Sequence, residues 1–180
     1  MSPIEIINYW YSEPMNKHWF SSTPELDNEI KNNYEQIWIK AANGELDDWK
    51  NTANGCLALA IILDQFPLNM FRGQAKSFRT EAKAIEVTLH AIQNDFDKKI
   101  DIEKLAFLIM PLMHSENIEH QNLSVKLFTQ HKLKSNLRFA CHHNDIVKRF
   151  GRFPHRNKIL ERESTPEETA YLESSDAFKG

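Results

Sequence analysis

From Cys56 to Leu63 the chain is an unbroken apolar run, Cys-Leu-Ala-Leu-Ala-Ile-Ile-Leu, preceded by Thr52 and followed by Pro67. A segment that is apolar on nearly every side has no face to give to water, so other elements must enclose it. The stretch from Thr52 to Phe66 is therefore expected as a central, buried helix, and the rest of the chain has to supply its walls.

The walls read as helices too. Ser2-Pro3-Ile4-Glu5 and Thr165-Pro166-Glu167-Glu168 each pair a hydroxyl cap with a glutamate three residues on, and Pro at the first helical position. Thr23-Pro24-Glu25 opens another helix, with Leu26, Ile30, Ile37 and Ala41 on one stripe and Asn43-Gly44 at its end. Thr80-Glu81 starts a helix through Ala84, Val87, His90 and Ala91, closed by Asn94-Asp95-Phe96-Asp97. Leu105–Met110 is a second buried helix, expected to stop at Pro111. Ser115-Glu116 is expected to cap a helix to about His131, and Ser135 one that ends at Gly151. No segment alternates like a strand, and 5 Gly with 7 Pro leave little material for the tight turns of an all-β fold. The expectation is an all-α fold of about eight helices in stacked antiparallel hairpins. It should form a single domain over residues 1–180, with a frayed end from Ser174 to Gly180.

Composition narrows the function classes. Hydrophobic residues are 41% and charged residues 26%, a globular balance, and the formal net charge of −3 gives no excess of cations for general nucleic-acid binding. The start has no cationic region followed by an apolar core, and the apolar runs are too short to span a bilayer. These features lead to the expectation of a cytoplasmic protein without membrane partners. Cys56 and Cys141 are read as reduced, buried thiols. No metal-ligand, phosphate-loop or nucleophile-elbow motif is present, so neither a metal nor a cofactor is expected. Trp10, Tyr11, Trp19, Phe20 and Trp38 are read as core aromatics.

The functional signal lies in polar residues placed where the periodicity asks for apolar ones. His143 falls between Ala140, Val147 and Phe150 on one helix face, with His142 at its edge. His114 and Gln121 share a stripe with Ile118, Val125 and Phe128. Asp64 directly follows the apolar run, where a carboxylate needs a partner, and Arg72 is the first candidate. Phe150-Gly151-Arg152-Phe153-Pro154-His155-Arg156-Asn157 is too aromatic and too cationic for a plain connector. Its Arg152, His155, Arg156 and Asn157 all donate hydrogen bonds that suit an anion. Any one inward histidine is more often a satisfied core residue than a ligand group. Several from three helices beside a cationic loop favour a shared polar pocket. The pair Glu116 and His120 is read as a solvated helix face.

At these residues the chain resembles the small bacterial proteins of domain-of-unknown-function family 924. The matching runs are Leu57-Ala58-Leu59 through Leu63-Asp64-Gln65-Phe66-Pro67, with Asn69 and Phe71-Arg72-Gly73. Pro111-Leu112-Met113-His114-Ser115-Glu116 with Gln121, His143 with Ile146, and Phe150–Asn157 match as well, as do Leu160 and Ser164–Glu168. Leu68 stands where the family pattern has Arg, and Glu161 where it has Gly. The resemblance implies an all-helical fold similar to tetratricopeptide repeats and brings no reaction with it.

Three functions are weighed. The first is a binding protein for a small anionic or phosphorylated molecule, or an acidic peptide end. In it Arg152 and Arg156 fork onto the anion, and Arg72, Gln121, His155 and Asn157 complete the lining. The second is a hydrolase or transferase with His114 or His143 as general base and Asp64 orienting it. The third is a protein-interaction scaffold.

Overall fold

The computed structural model describes residues 1–179, and every regular element among them is helical. The order is α1 Pro3–Trp10, α2 Glu13–Asn16, α3 Pro24–Ala42, α4 Ala53–Ala60, α5 Phe66–Met70, α6 Glu81–Gln93, α7 Ile102–His114, α8 Ile118–Gln130, α9 Lys134–Phe150 and α10 Pro166–Glu173. A π-helical turn, Ile61–Gln65, joins α4 to α5 without a break, so these two form one rod. Nine rods result among the described residues; the short α2 is the one that the sequence reading missed. The chain divides into two compact units, Met1–Arg72 with Lys76–Pro111, and Gly73–Ala75 with Leu112–Gly180.

In the first unit the central rod is enclosed as its apolar run requires, with every residue from Cys56 to Phe66 buried. Thr52 caps it by accepting from the Gly55 N–H. Gly55 has no room for a side chain: a Cβ there would stand 1.9 Å from the Trp49 carbonyl oxygen. Pro67 has no N–H to offer the Leu63 carbonyl four residues back. The Thr80 hydroxyl donates to that carbonyl at 2.6 Å, and the Trp38 indole N–H donates to the Thr80 oxygen at 3.0 Å. Pro111 does not stop α7 as expected. It lies inside the helix, and in the turn it loosens the Leu108 carbonyl accepts from the buried Thr88 hydroxyl at 2.8 Å. The donor that Pro111 lacks would have served the Phe107 carbonyl four residues back, and the Thr88 hydroxyl anchors the carbonyl next to it.

Two further expectations change in this unit. Arg72 does not take Asp64: its guanidinium bonds Asp27 at 2.7 Å and Asn69 at 3.0 Å. Asp64 is buried and accepts from the neighbouring Gln65 amide. A carboxylate from α3 reached the arginine first, a partner 45 residues away that helical spacing does not reveal. Phe20 is 79% exposed, whereas Trp10 and Trp38 are buried in the core.

In the second unit α8 begins at Ile118 behind an Asn117 cap, two residues later than Ser115-Glu116 suggested. Gly151 closes α9 in the left-handed conformation, φ 71°, as its position predicts. Thr165 and Glu168 make the expected capping box on α10. Cys141 is exposed, and only Cys56 is buried. Within the stretch expected to fray, Ala177 and Phe178 pack against the cluster of Ile146, Val147, Phe153 and Tyr171. Gly180 lies outside the described residues.

Candidate functional site

The loop after α9 is built around two carboxylates. Glu168, buried on α10, receives Arg152 as a fork at 2.7 and 2.8 Å, the Thr165 N–H at 2.8 Å and the Asn157 amide at 3.2 Å. The Arg152 hydrogen bonds come first in holding its carboxyl down at about 2, with burial opposing them. Glu116 receives Arg162 as a second fork at 2.7 and 2.8 Å, and the Phe153 N–H at 2.8 Å. Burial alone would raise the Glu116 pKa, but the Arg162 bonds, the Phe153 N–H and the fields of Arg162 and Arg156 outweigh it and lower the value. Glu116 is thus a clasp between α7 and the loop, not a solvated helix face. Asn157, 1% exposed, spends its amide within the clasp, donating to Ser164 and Glu168 and accepting from Arg162.

Arg162 can reach Glu116 because the chain turns sharply before it. The N–H of Arg162 bonds the Asn157 carbonyl, that of Glu161 bonds the Lys158 carbonyl, and Glu161 sits at φ 54°. This is the Schellman arrangement, whose left-handed residue is usually glycine.

The clasp holds a cluster of imidazoles. His114 and His143 lie 6.5 Å apart between ring centroids, and Phe153 stands edge-on to His143 at 5.4 Å and 5.5 Å from His155. The Arg156 guanidinium stacks on Phe153 at 4.7 Å and donates to the His114 carbonyl at 2.7 Å. The Gln121 amide donates to the carbonyls on either side, Met113 at 2.7 Å and Ser115 at 2.6 Å. Three successive carbonyls at the end of α7 are thereby satisfied, and a cation sits at the negative end of the helix dipole. That is a structural reason for both residues. One acceptor is left over: Gln121 Oε1 is buried with no hydrogen-bond partner.

The protonation states follow from these contacts. His143 Nδ1 lies 2.7 Å from the Phe139 carbonyl, which can only accept, so the hydrogen is on Nδ1 and Nε2 carries a lone pair. Burial, more than any neighbouring charge, pushes the His143 pKa down to about 3, with His114, His142 and His155 adding to it. Burial followed by Arg156 takes His155 to about 4. For both rings desolvation is a larger cause than the neighbouring charges. Both rings are neutral at pH 7. A group so weakly basic takes protons poorly, which disfavours His143 as a general base. Ser115 Oγ lies 2.9 Å from His120 Nδ1, yet it is buried and accepts from the Asn117 N–H, the position of a turn-capping hydroxyl.

Of the predicted site residues, His114, His143, His155 and Arg156 come together around Phe153, and Gln121 buttresses them. Arg152 and Asn157 belong to the clasp. An open hollow of about 380 Å³ lies along the clasp, lined by Arg149, Phe150, Arg152, Thr165, Glu167 and Glu168, with each arginine paired to a glutamate. Asp64 and Arg72 belong to the first unit. Among the described residues no three histidine, cysteine or carboxylate side chains are grouped to hold a metal ion.

The model of the family described as "Bacterial protein of unknown function (DUF924)" matches residues 6–176. The chain belongs to this family. A solved structure, of the protein of unknown function ATU0120 from Agrobacterium tumefaciens, is similar at 36% identity, covering 95% of this chain and 96% of that one with a TM-score of 0.87. A search of curated proteins returned no match. Among the described residues of this DUF924 chain, no helix is long and apolar enough to cross a membrane.

Proposed function

We propose that this DUF924 protein is a cytoplasmic binding protein whose C-terminal unit takes a small anionic molecule or an acidic peptide end at the imidazole cluster. The observation that carries the reading is the convergence of His143, His155 and Arg156 on Phe153, with His114 beside His143. Arg156 supplies the positive charge and a planar donor fork. The neutral His143 and His155 imidazoles supply directional donors and acceptors without adding charge. Arg152, which Glu168 engages, acts by holding the loop rather than by meeting the ligand. This binding reading stands ahead of a hydrolase or transferase because the low His143 pKa suits hydrogen bonding better than proton abstraction.

Titration calorimetry with inorganic phosphate, phosphoserine peptides and acidic peptides tests the proposal. Saturable binding that weakens with added salt, and that falls at least about tenfold in His155→Ala, is the expected result. Absence of heat from every probe up to millimolar concentration, with the variant indistinguishable from the parent, refutes it.

A further inference from the structure

The imidazole cluster is not open to solvent on every side. After α10 ends at Glu173, Ser174 turns extended, and the following residues bring Phe178 against the histidines. The Phe178 ring lies 4.5 Å from the His143 ring at 69°, 4.9 Å from His155 at 85° and 6.2 Å from His142 at 76°. All three are edge-to-face contacts, the favoured arrangement of aromatic pairs. A phenyl ring thus sits among the groups assigned above to ligand recognition, delivered by a segment that reads Asp176-Ala177-Phe178. Over residues 174–179 the one carboxylate, Asp176, is balanced by Lys179, so the chemistry is that of a short peptide with an aromatic side chain two residues from a carboxylate.

The attachment is light. The Phe178 N–H bonds the Tyr171 hydroxyl at 2.9 Å, and the Ala177 N–H reaches the Ser174 carbonyl at 3.4 Å. Ser175, Asp176 and Lys179 are exposed, and Phe178 itself is only partly buried. A ring held by edge contacts and so few backbone bonds is displaced by local opening, without unfolding the helices that carry the histidines.

We infer that Ser174–Lys179 is an internal competitor for the cluster, with Phe178 occupying the seat of a bound peptide's aromatic side chain. A ligand therefore binds by displacing it. The inference rests on the proposed binding function and adds both a ligand class, peptides with an aromatic residue close to a carboxylate, and a regulator of the same site.

The test uses the full chain and Phe178→Ala, with Phe178→Leu as a second variant that keeps part of the apolar cover. Histidine Cε1 NMR titrations read the seat directly. The groups around His143 are the His114, His142 and His155 imidazoles, and Glu116 and Arg156 act on His155. Removing the ring rehydrates His143 and His155, so their pKa values should rise in Phe178→Ala, His143 by roughly one unit or more, and by less in Phe178→Leu. Calorimetry with the free hexapeptide of residues 174–179 should show at least about tenfold tighter binding to Phe178→Ala than to the parent, and the bound peptide should return His143 to its low value. Unchanged histidine titrations in both variants overturn the inference. So do raised titrations accompanied by equal hexapeptide binding to parent and variant. If the titrations rise and the hexapeptide binds only the variant, while phosphate and acidic probes bind neither, the competitor stands and the anion reading of the site fails.

Discussion

Replacing Glu161 by Gly should stabilise the protein, although it deletes a side chain. Glu161 holds the left-handed position of the Schellman turn at φ 54°, is exposed, and makes no side-chain hydrogen bond or ion pair among the described residues. A residue with a Cβ is disfavoured in that conformation by roughly 1–2 kcal/mol. Glycine gives back part of the gain, about 0.5–1 kcal/mol, through its freer unfolded chain. The net is a stabilisation of roughly 0.5–1 kcal/mol, a rise of about 1–4 °C in Tm for a chain of this length. Thermal melts at pH 7 followed by circular dichroism measure it, with Glu161→Ala as the control that loses the same carboxylate but keeps the Cβ. A glycine variant no more stable than the parent refutes the reasoning. An alanine variant that rises as far would show that charge, not backbone conformation, is responsible.

Acid should weaken the protein in two stages. His143 and His155 have folded pKa values below the ordinary 6.5, so the unfolded chain takes up their protons first and stability falls as pH drops from about 6.5 toward 4 and 3. Glu116 and Glu168 are depressed below 4.5, so their contribution is present above that value and is lost as pH falls, for Glu168 through about 2. Melts from pH 8 to pH 2 should show both limbs, and His143→Gln should flatten the upper one; a Tm constant from pH 7 to pH 5 contradicts it. Gly55→Ala should destabilise by about 3 kcal/mol in urea titrations, since the added carbon must push the Trp49 carbonyl aside; a loss below about 0.5 kcal/mol, the range of an ordinary surface substitution, would mean that the close approach is not rigid.

Most of the fold was legible because helices announce themselves locally. Thr52, Thr23, Thr165 and Gly151 cap the elements that their spacing indicated, and the apolar run from Cys56 is enclosed. Pro111 misled because a proline inside a helix removes one hydrogen bond, here to the Phe107 carbonyl, and a helix packed on both sides of it from Phe107 to Met113 runs on regardless. The inward direction of His114, Gln121 and His143 was likewise readable from helical period. The partners were not. Glu116 meets Arg162 across 46 residues, Arg72 meets Asp27 across 45, and Arg152 meets Glu168 across 16. Which carboxylate an arginine finds depends on tertiary placement, and no spacing rule carries it. A surplus of cations in the loop therefore looked like an invitation to an external anion, when part of it answers anions within the chain. Phe178 was missed for a similar reason: a short polar segment with one aromatic gives no periodic signal.

The bond from the Trp38 indole to Thr80, and from Thr80 to the Leu63 carbonyl, gives the first unit a built-in optical probe. An indole N–H tied to a buried hydroxyl in a dry interior emits differently from one released to water. Any motion that parts the proline-containing rod from α3 or the Thr80 turn breaks that relay before it exposes much apolar surface. In a variant keeping Trp38 as its sole tryptophan, emission should report early loosening at the rod's π-helical turn, ahead of the loss of helical dichroism.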